Sequence, residues 1–258
     1  MKRRAFLKGV PAVTLLAAAV PLAAADAAKA PASSPDATKV SAPGAAPAAT
    51  ADLQPIVLVK PQAAGGKSVL AALQARRTIR EISAEKLPSQ TLSNLLWAAW
   101  GVNREKGPFG QVGRTAASAS NSQEIDLYVV LPEGIYLYEA EPHRLAPVVA
   151  GDHRAKVGGR GRAGGAAQAP VSLVFVADIA RFAKARLQEP GLKDPEIQKS
   201  YYNVATGLIA GNVYLFAASQ GLAAWFHNCD KPALAAVLKL GADQRVLYAQ
   251  TVGVAAGG

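Results

Sequence analysis

The chain has 258 residues, enough for one or two domains with a sizeable core. Half are hydrophobic, only 6% are aromatic and 18% charged, with Ala, Gly and Pro heavily used, a mixture of packed domain and low-complexity stretch that excludes collagen, coiled coil and wholesale disorder. The single cysteine, Cys229, forbids an intramolecular disulfide, and His143, His153 and His227 are too scattered for a protein-only metal centre; the net charge of +10 leaves acidic small molecules, nucleic acid or an anionic membrane surface to be weighed.

Residues 1–27 read as an address. Lys2-Arg3-Arg4-Ala5-Phe6-Leu7-Lys8 precedes an uncharged run from Val10 to Ala25, and small residues around Ala23-Ala24-Ala25 or Ala25-Asp26-Ala27 suit a signal peptidase. The pattern resembles a twin-arginine export signal, which implies a periplasmic protein. Cleavage after Ala27 lowers the net charge from +10 to +7. No later stretch offers the roughly 20 uninterrupted apolar residues of a membrane helix, so no stable membrane insertion is expected after cleavage. Residues 28–52, rich in Ala, Pro, Ser and Thr, cannot repay their ordering entropy and read as a disordered linker. The folded domain then spans 53–258.

Two phosphate-loop look-alikes fail on context. Gly66-Lys67-Ser68 has Pro61 where a P-loop needs its opening glycine, and Gly159-Arg160-Gly161-Arg162-Ala163-Gly164 precedes a strand instead of following one. The stretch 158–165 is expected to be a mobile basic loop; no aromatic residue interleaves to stack nucleic-acid bases.

Ser68 is expected to cap a helix carrying Val69, Leu70 and Leu73 up to Arg76. Ser89 is expected to cap a second, in which Leu92, Leu95, Leu96 and Ala99 repeat at helical spacing before Gly101. Ile125–Leu131 alternates as a strand, Pro132-Glu133-Gly134 turns, and Ile135–Tyr138 returns as a hairpin. Val171–Ala177 is apolar enough for a central strand, and Val246–Val254 makes another. Between them a helix from about Gln198 to Gln220 is apolar or small nearly all round, which predicts burial. Asp230 can cap a last helix with Pro232 in its first turn. Without regular βαβ alternation the class is α+β, a mixed or antiparallel sheet flanked by helices.

Chemistry concentrates in Arg76-Arg77-Thr78-Ile79-Arg80, at the first helix's end. Three guanidinium forks and a hydroxyl suit a phosphate dianion, although cations at a helix C-terminus also arise as plain solvated charge. Lower down, Arg114-Thr115-Ala116-Ala117-Ser118-Ala119-Ser120-Asn121-Ser122-Gln123 precedes a strand, Gly207–Leu222 takes in the second half of the long helix and its end, and Trp225-Phe226-His227-Asn228 follows it.

In that order these segments resemble the nitroreductase family, whose Arg-x-Ser/Thr-x-Arg/Lys opening is met by Arg76, Thr78 and Arg80, and whose Pro-Ser-x-x-Asn-Ser-Gln segment is met with Ala117 for Pro. Leu96–Asn103 is similar to the branch containing thiazoline and oxazoline oxidases. The resemblance implies FMN as cofactor and a homodimer with FMN at the interface. Arg76, Arg77 and Thr78 would bind the phosphate and ribityl end, Arg80 would lie near the pyrimidine edge, Ser118 and Asn121 would hydrogen-bond the ring system, and Phe226, His227 and Asn228 would line its N5 side. His227 and Asn228 replace small or acidic residues there, and the Gly253–Gly258 ending has none of the basic phosphate ligands many members carry. Arg114, Arg160 or Arg162 could stand in.

The implied protein is an exported FMN-dependent oxidoreductase passing two electrons between a small-molecule donor and an acceptor such as a quinone or nitro compound by a ping-pong cycle. It needs no catalytic acid or base of its own. A non-catalytic flavin or small-ligand carrier on the same fold is the alternative; a nucleic-acid partner is not expected. His227 sits beside the implied flavin, yet a lone histidine is more often a hydrogen-bonded structural residue than a catalytic one; Cys229 reads as a small buried hydrophobe, and Trp97 and Trp100 as packing residues.

Overall fold

A computed structural model of the chain describes residues 53–107, 110–158 and 168–257. The export signal, the linker, Arg160 and Arg162 lie outside the described residues.

The core is a seven-stranded sheet in the order β1-β6-β5-β4-β7-β9-β8, every neighbouring pair antiparallel. Its strands are β1 (Ile56–Val57), β4 (Ile125–Leu131), β5 (Gly134–Glu139), β6 (Arg144–Ala150), β7 (Val171–Asp178), β8 (Ala223–His227) and β9 (Gln244–Gly253); β2 (Val102–Arg104) and β3 (Gly113–Arg114) make a separate hairpin. The apolar runs predicted as strands lie at the centre because both of their faces are covered. Leu127, Val129, Leu173 and Phe175 face one core, Tyr128, Val130, Val174 and Val176 the other. The first core is closed by α2 (Ser89–Trp100) and α4 (Pro195–Gln220), the second by α5 (Lys231–Leu238); α1 (Val69–Ala75) and α3 (Arg154–Val157) are shorter. Helices cover both faces.

Capping side chains start three of the five α-helices among the described residues. Ser68 accepts from the Ala71 N–H at 3.3 Å to start α1, and Asp230 accepts from Ala233 at 3.2 Å to start α5. Asp194 accepts from Glu196 and Ile197, with Pro195 at the first helical position, and Gly221 at φ 71° ends α4. Ser89 departs from expectation. It is the first residue of α2, Pro88 is the cap, and no side chain bonds there.

One expectation about burial, that for the long helix, is corrected, and α1 adds a second apolar surface. The apolar residues of α1 are exposed: Val69, Leu70 and Leu73 are 69%, 79% and 52% accessible. The long helix is buried on one side only. Ala205, Ile209, Ala210, Val213 and Ala217 face the sheet, whereas Val204 is 60% and Leu208 45% exposed, and a Cβ added at Gly207 or Gly211 would meet nothing within 4 Å. Small residues all round a helix are ambiguous, since they allow close approach on any side. β6, β8 and the β2–β3 hairpin were not anticipated as strands.

Candidate functional site

The arginine segment lies along a sheet edge. Arg76 closes α1 through its backbone N–H to the Ala72 carbonyl at 2.8 Å, then the chain leaves helical geometry. The Ile79 N–H donates to the Ala224 carbonyl at 3.0 Å, so the segment covers the free side of β8, the sheet's last strand. Beyond it, Ser83 donates to Val254 at 2.9 Å and Ala256 to Glu81 at 2.9 Å, which ties the other end down next to β9.

Tyr214 of α4 joins the pieces. Its hydroxyl accepts the Phe226 N–H at 2.8 Å and shares a hydrogen bond with the Thr78 hydroxyl at 3.0 Å. Arg76 sits over the Tyr214 ring at 5.6 Å and Arg80 over the Trp225 ring at 5.8 Å. Arg76, Arg77, Thr78 and Arg80 are all exposed. Among the described residues no carboxylate lies within 4.0 Å of these three guanidiniums. The segment is thus a row of cations held by ring faces and backbone, with its charge uncompensated.

His227 is buried, with its imidazole turned into the sheet. Nδ1 meets the Asn228 carbonyl at 2.8 Å, Nε2 meets Thr251 Oγ1 at 2.9 Å, and the ring packs on Trp225 with centroids 4.3 Å apart. A carbonyl only accepts, so Nδ1 carries a proton, while Nε2 shares a hydrogen bond with the Thr251 hydroxyl. What 226–228 offers outward is therefore main chain, the half-buried Phe226 and the exposed Asn228. Phe226 itself packs on Tyr248 and Phe175 at 5.0 and 5.9 Å.

Ser118 and Asn121 belong to a different part of the surface. Their loop runs through left-handed geometry at Ser120, Asn121 and Gln123, with φ of 48°, 53° and 51°. Such conformations cost energy for non-glycine residues and persist where surrounding bonds overdetermine them. Gln123 does this here: its N–H donates to Ser118 Oγ at 3.0 Å, its amide to the Val112 carbonyl at 2.9 Å and Asn121 Oδ1 at 3.1 Å, while its own Oε1 accepts from Arg114 at 2.6 Å. Asn121 lines a cavity of about 370 Å³ to which none of Arg76, Arg77, Thr78 or Arg80 contributes. Within one chain the two sets are not brought together; Arg77 instead lines a crevice of only about 20 Å³ beside Tyr214.

Behind this loop Glu124 is fully buried. Its Oε2 accepts from the Ser122 hydroxyl at 2.7 Å, Oε1 has no partner, and burial pushes the carboxyl above the usual glutamate range. A raised folded value means that the folded chain keeps a proton the unfolded chain has released, so this group's contribution to stability falls as pH rises upward from about 4.3. Glu124→Gln is expected to remove that slope and raise the urea midpoint at neutral pH relative to acid. Parallel pH profiles for the two proteins would refute it.

The other singled-out residues have structural partners. Burial pushes the Cys229 thiol up to about 11, which leaves little thiolate at neutral pH, and Cys229 packs beside the second core. Lys67 Nζ donates to the Ala218 carbonyl at 3.3 Å near the end of α4, a helix-terminus role in place of a phosphate one. His143 bridges Ser93 at 2.8 Å and Tyr138 at 2.9 Å. Trp97 donates to the Val102 carbonyl, and Trp100 lies under Arg114. Arg114 is held by Gln123 and Trp100, apart from the arginine segment. Among the described residues no group of His, Cys, Asp and Glu could hold a metal ion, and no helix is long and apolar enough to cross a membrane. Tyr214 is the contributor that sequence reasoning missed; one tyrosine in an apolar helix gives no periodic signal.

Residues 73–254 match the model of the nitroreductase family. A proposed nitroreductase of Methanocaldococcus jannaschii is 28% identical over 158 residues, covering 57% of this chain and 71% of that protein. The crystal structure of a proposed nitroreductase from Ralstonia eutropha is 36% identical with a TM-score of 0.69, covering 79% of this chain and 90% of the other. The NADPH:FMN oxidoreductase of Vibrio harveyi, solved with NAD+, shares the fold at 20% identity and a TM-score of 0.51, over 73% of this chain and 69% of its own.

Proposed function

Because the chain belongs to the nitroreductase family, a family of flavin-dependent oxidoreductases, we propose that it binds FMN along the 76–80 segment and passes two electrons between a small-molecule donor and an organic acceptor. The observation that carries this is the row of three guanidiniums without a carboxylate partner, laid on the β8 edge and joined through Tyr214 to Thr78 and Phe226. That donor set fits a phosphorylated flavin: forks and a hydroxyl for the phosphate and ribityl end, a fixed cation further along for the pyrimidine edge. Bound FMN supplies reversible uptake of a hydride.

The chain's own contribution is placement and charge. Arg76, Arg77 and Thr78 bind the phosphate and ribityl end, and Arg80, perched on Trp225, sets positive charge where negative charge develops on reduction. Ser118, Asn121, Phe226, Asn228 and the main chain at His227 complete the surroundings of the ring. Asn121 and Arg77 line separate cavities in one chain, and α1 and α4 expose Val69, Leu70, Val204 and Leu208. A homodimer supports both facts, because a second copy can cover those apolar residues and bring its 118–121 loop to the first copy's arginines.

The reading extends to export by the twin-arginine route to the periplasm, with 1–27 as signal and 28–52 as tether, to a ping-pong cycle with a quinone, nitro compound or similar acceptor, and to the thiazoline and oxazoline oxidase branch. Protein incubated with FMN and desalted should be yellow, bleach under dithionite and recolour with a quinone, and elute as a dimer. A preparation that stays colourless overturns the reading.

A further inference from the structure

The cavity beside the 118–123 loop contains a cation that the proposed flavin site does not use. Arg114 lies against Trp100, 5.2 Å from the ring centroid, and burial pulls its guanidinium below its ordinary value. A guanidinium has five N–H donors. Two are spent here, Nε on Gln123 Oε1 at 2.6 Å and Nη1 on the Trp100 carbonyl at 3.1 Å, both neutral acceptors. Its remaining donors meet no acceptor among the described residues, and Arg114 forms part of the wall of a cavity of about 370 Å³. That volume is at the scale of small-molecule sites.

The remaining charges define what fits. Arg181, on the same wall, is already paired with Asp126 and, at 3.3 Å, with Asp178, and it also donates to the Gln123 carbonyl. Glu141 shares the lining without forming an ion pair with Arg114. Arg186 also lines the cavity and has a partner of its own, so with Arg181 and Arg186 both engaged the one uncommitted fork among the described residues of the wall is that of Arg114, which suits a planar carboxylate. Asn121 and Gln123, both in left-handed geometry, form the adjoining wall, held rigid by the same Gln123 that orients Arg114.

We propose that this cavity binds a small organic carboxylate, with Arg114 as the fork that recognises it, and that the carboxylate is the anchoring end of the substrate. The anion site stands on the cavity and Arg114 alone; its assignment to the substrate rests on the reading that the 118–121 loop faces a flavin.

The test is calorimetric titration of the FMN-incubated protein with benzoate and with uncharged benzamide, the flavin content of each sample being read from its visible spectrum. Benzoate should bind and benzamide should not. Arg114→Gln, which retains an amide donor for the Trp100 carbonyl, should weaken benzoate about tenfold or more. Glu141→Gln, at an exposed position, should tighten it and keeps the test open if the Arg114 variant misfolds. Equal binding of the two compounds, or benzoate affinity indifferent to Glu141→Gln and to a folded Arg114→Gln, overturns the site. If Arg114→Gln loses flavin together with benzoate, the anion on Arg114 is the flavin phosphate and the substrate assignment falls. Benzoate binding by protein that takes up no FMN upholds the anion site while the flavin reading fails.

Discussion

Arg76→Ala is expected to weaken FMN retention by about 10- to 100-fold, the loss of charge-assisted bonds to a phosphate. The fold should survive the change, because Arg76 caps α1 through its backbone and its side chain is exposed over Tyr214. Arg80→Ala should act differently. Its cation lies further along the edge, over Trp225, so its loss should lower the flavin's reduction midpoint, by about 30 mV for each 1.4 kcal/mol of reduced-state stabilisation removed. Equilibrium dialysis measures the first effect and dye-coupled redox titration the second. Arg144→Ala on β6, which breaks the surface pair with Glu139 of β5, is the control and should change neither. Unchanged retention and potential in both site variants would remove the arginine segment from the flavin.

Phe175→Ala should cost about 3–5 kcal/mol, the range for truncating a buried aromatic ring in a core that cannot collapse around the gap. Phe175 is fully buried on β7, which lies between β4 and β9, so its neighbours are held by sheet hydrogen bonds on both sides. The same ring supports Phe226 on β8, 5.9 Å away, so weaker flavin retention should accompany the loss of stability. Urea unfolding at fixed protein concentration checks it, since a dimer's midpoint depends on concentration. A midpoint shift worth under about 1 kcal/mol would show that the sheet can repack around the gap.

Local signals carried much of the fold. The alternation of Ile125–Leu131, the apolar run of β7 and the caps at Ser68 and Asp230 are written in neighbouring residues, and each appears where expected. β8 was not legible: Trp225, Phe226 and His227 carry a large apolar ring, a half-buried one and a polar one in succession, and the segment pairs only with β9, distant in sequence. His227 shows the same limit within the site. Its position was readable, but the Thr251 and Asn228 partners that turn its ring inward come from register between strands.

By itself the sequence determined a basic segment after a short helix, an α+β pattern, and a single cysteine unable to form an internal disulfide. Only the tertiary structure decided that Arg76–Arg80 lies on the last strand's free edge with Tyr214 as its joint, and that α4 is exposed at Val204 and Leu208 while buried at Ala205 and Ile209. It also placed Asn121 on a cavity to which none of Arg76, Arg77 and Arg80 of the same chain contributes. The physical reason is range. Periodicity and capping are contests among groups a few residues apart, whereas the identity of the edge strand and of the covered helix face depends on pairing and packing across the whole sheet, for which small residues such as Gly207 and Ala210 leave no distinguishing local mark.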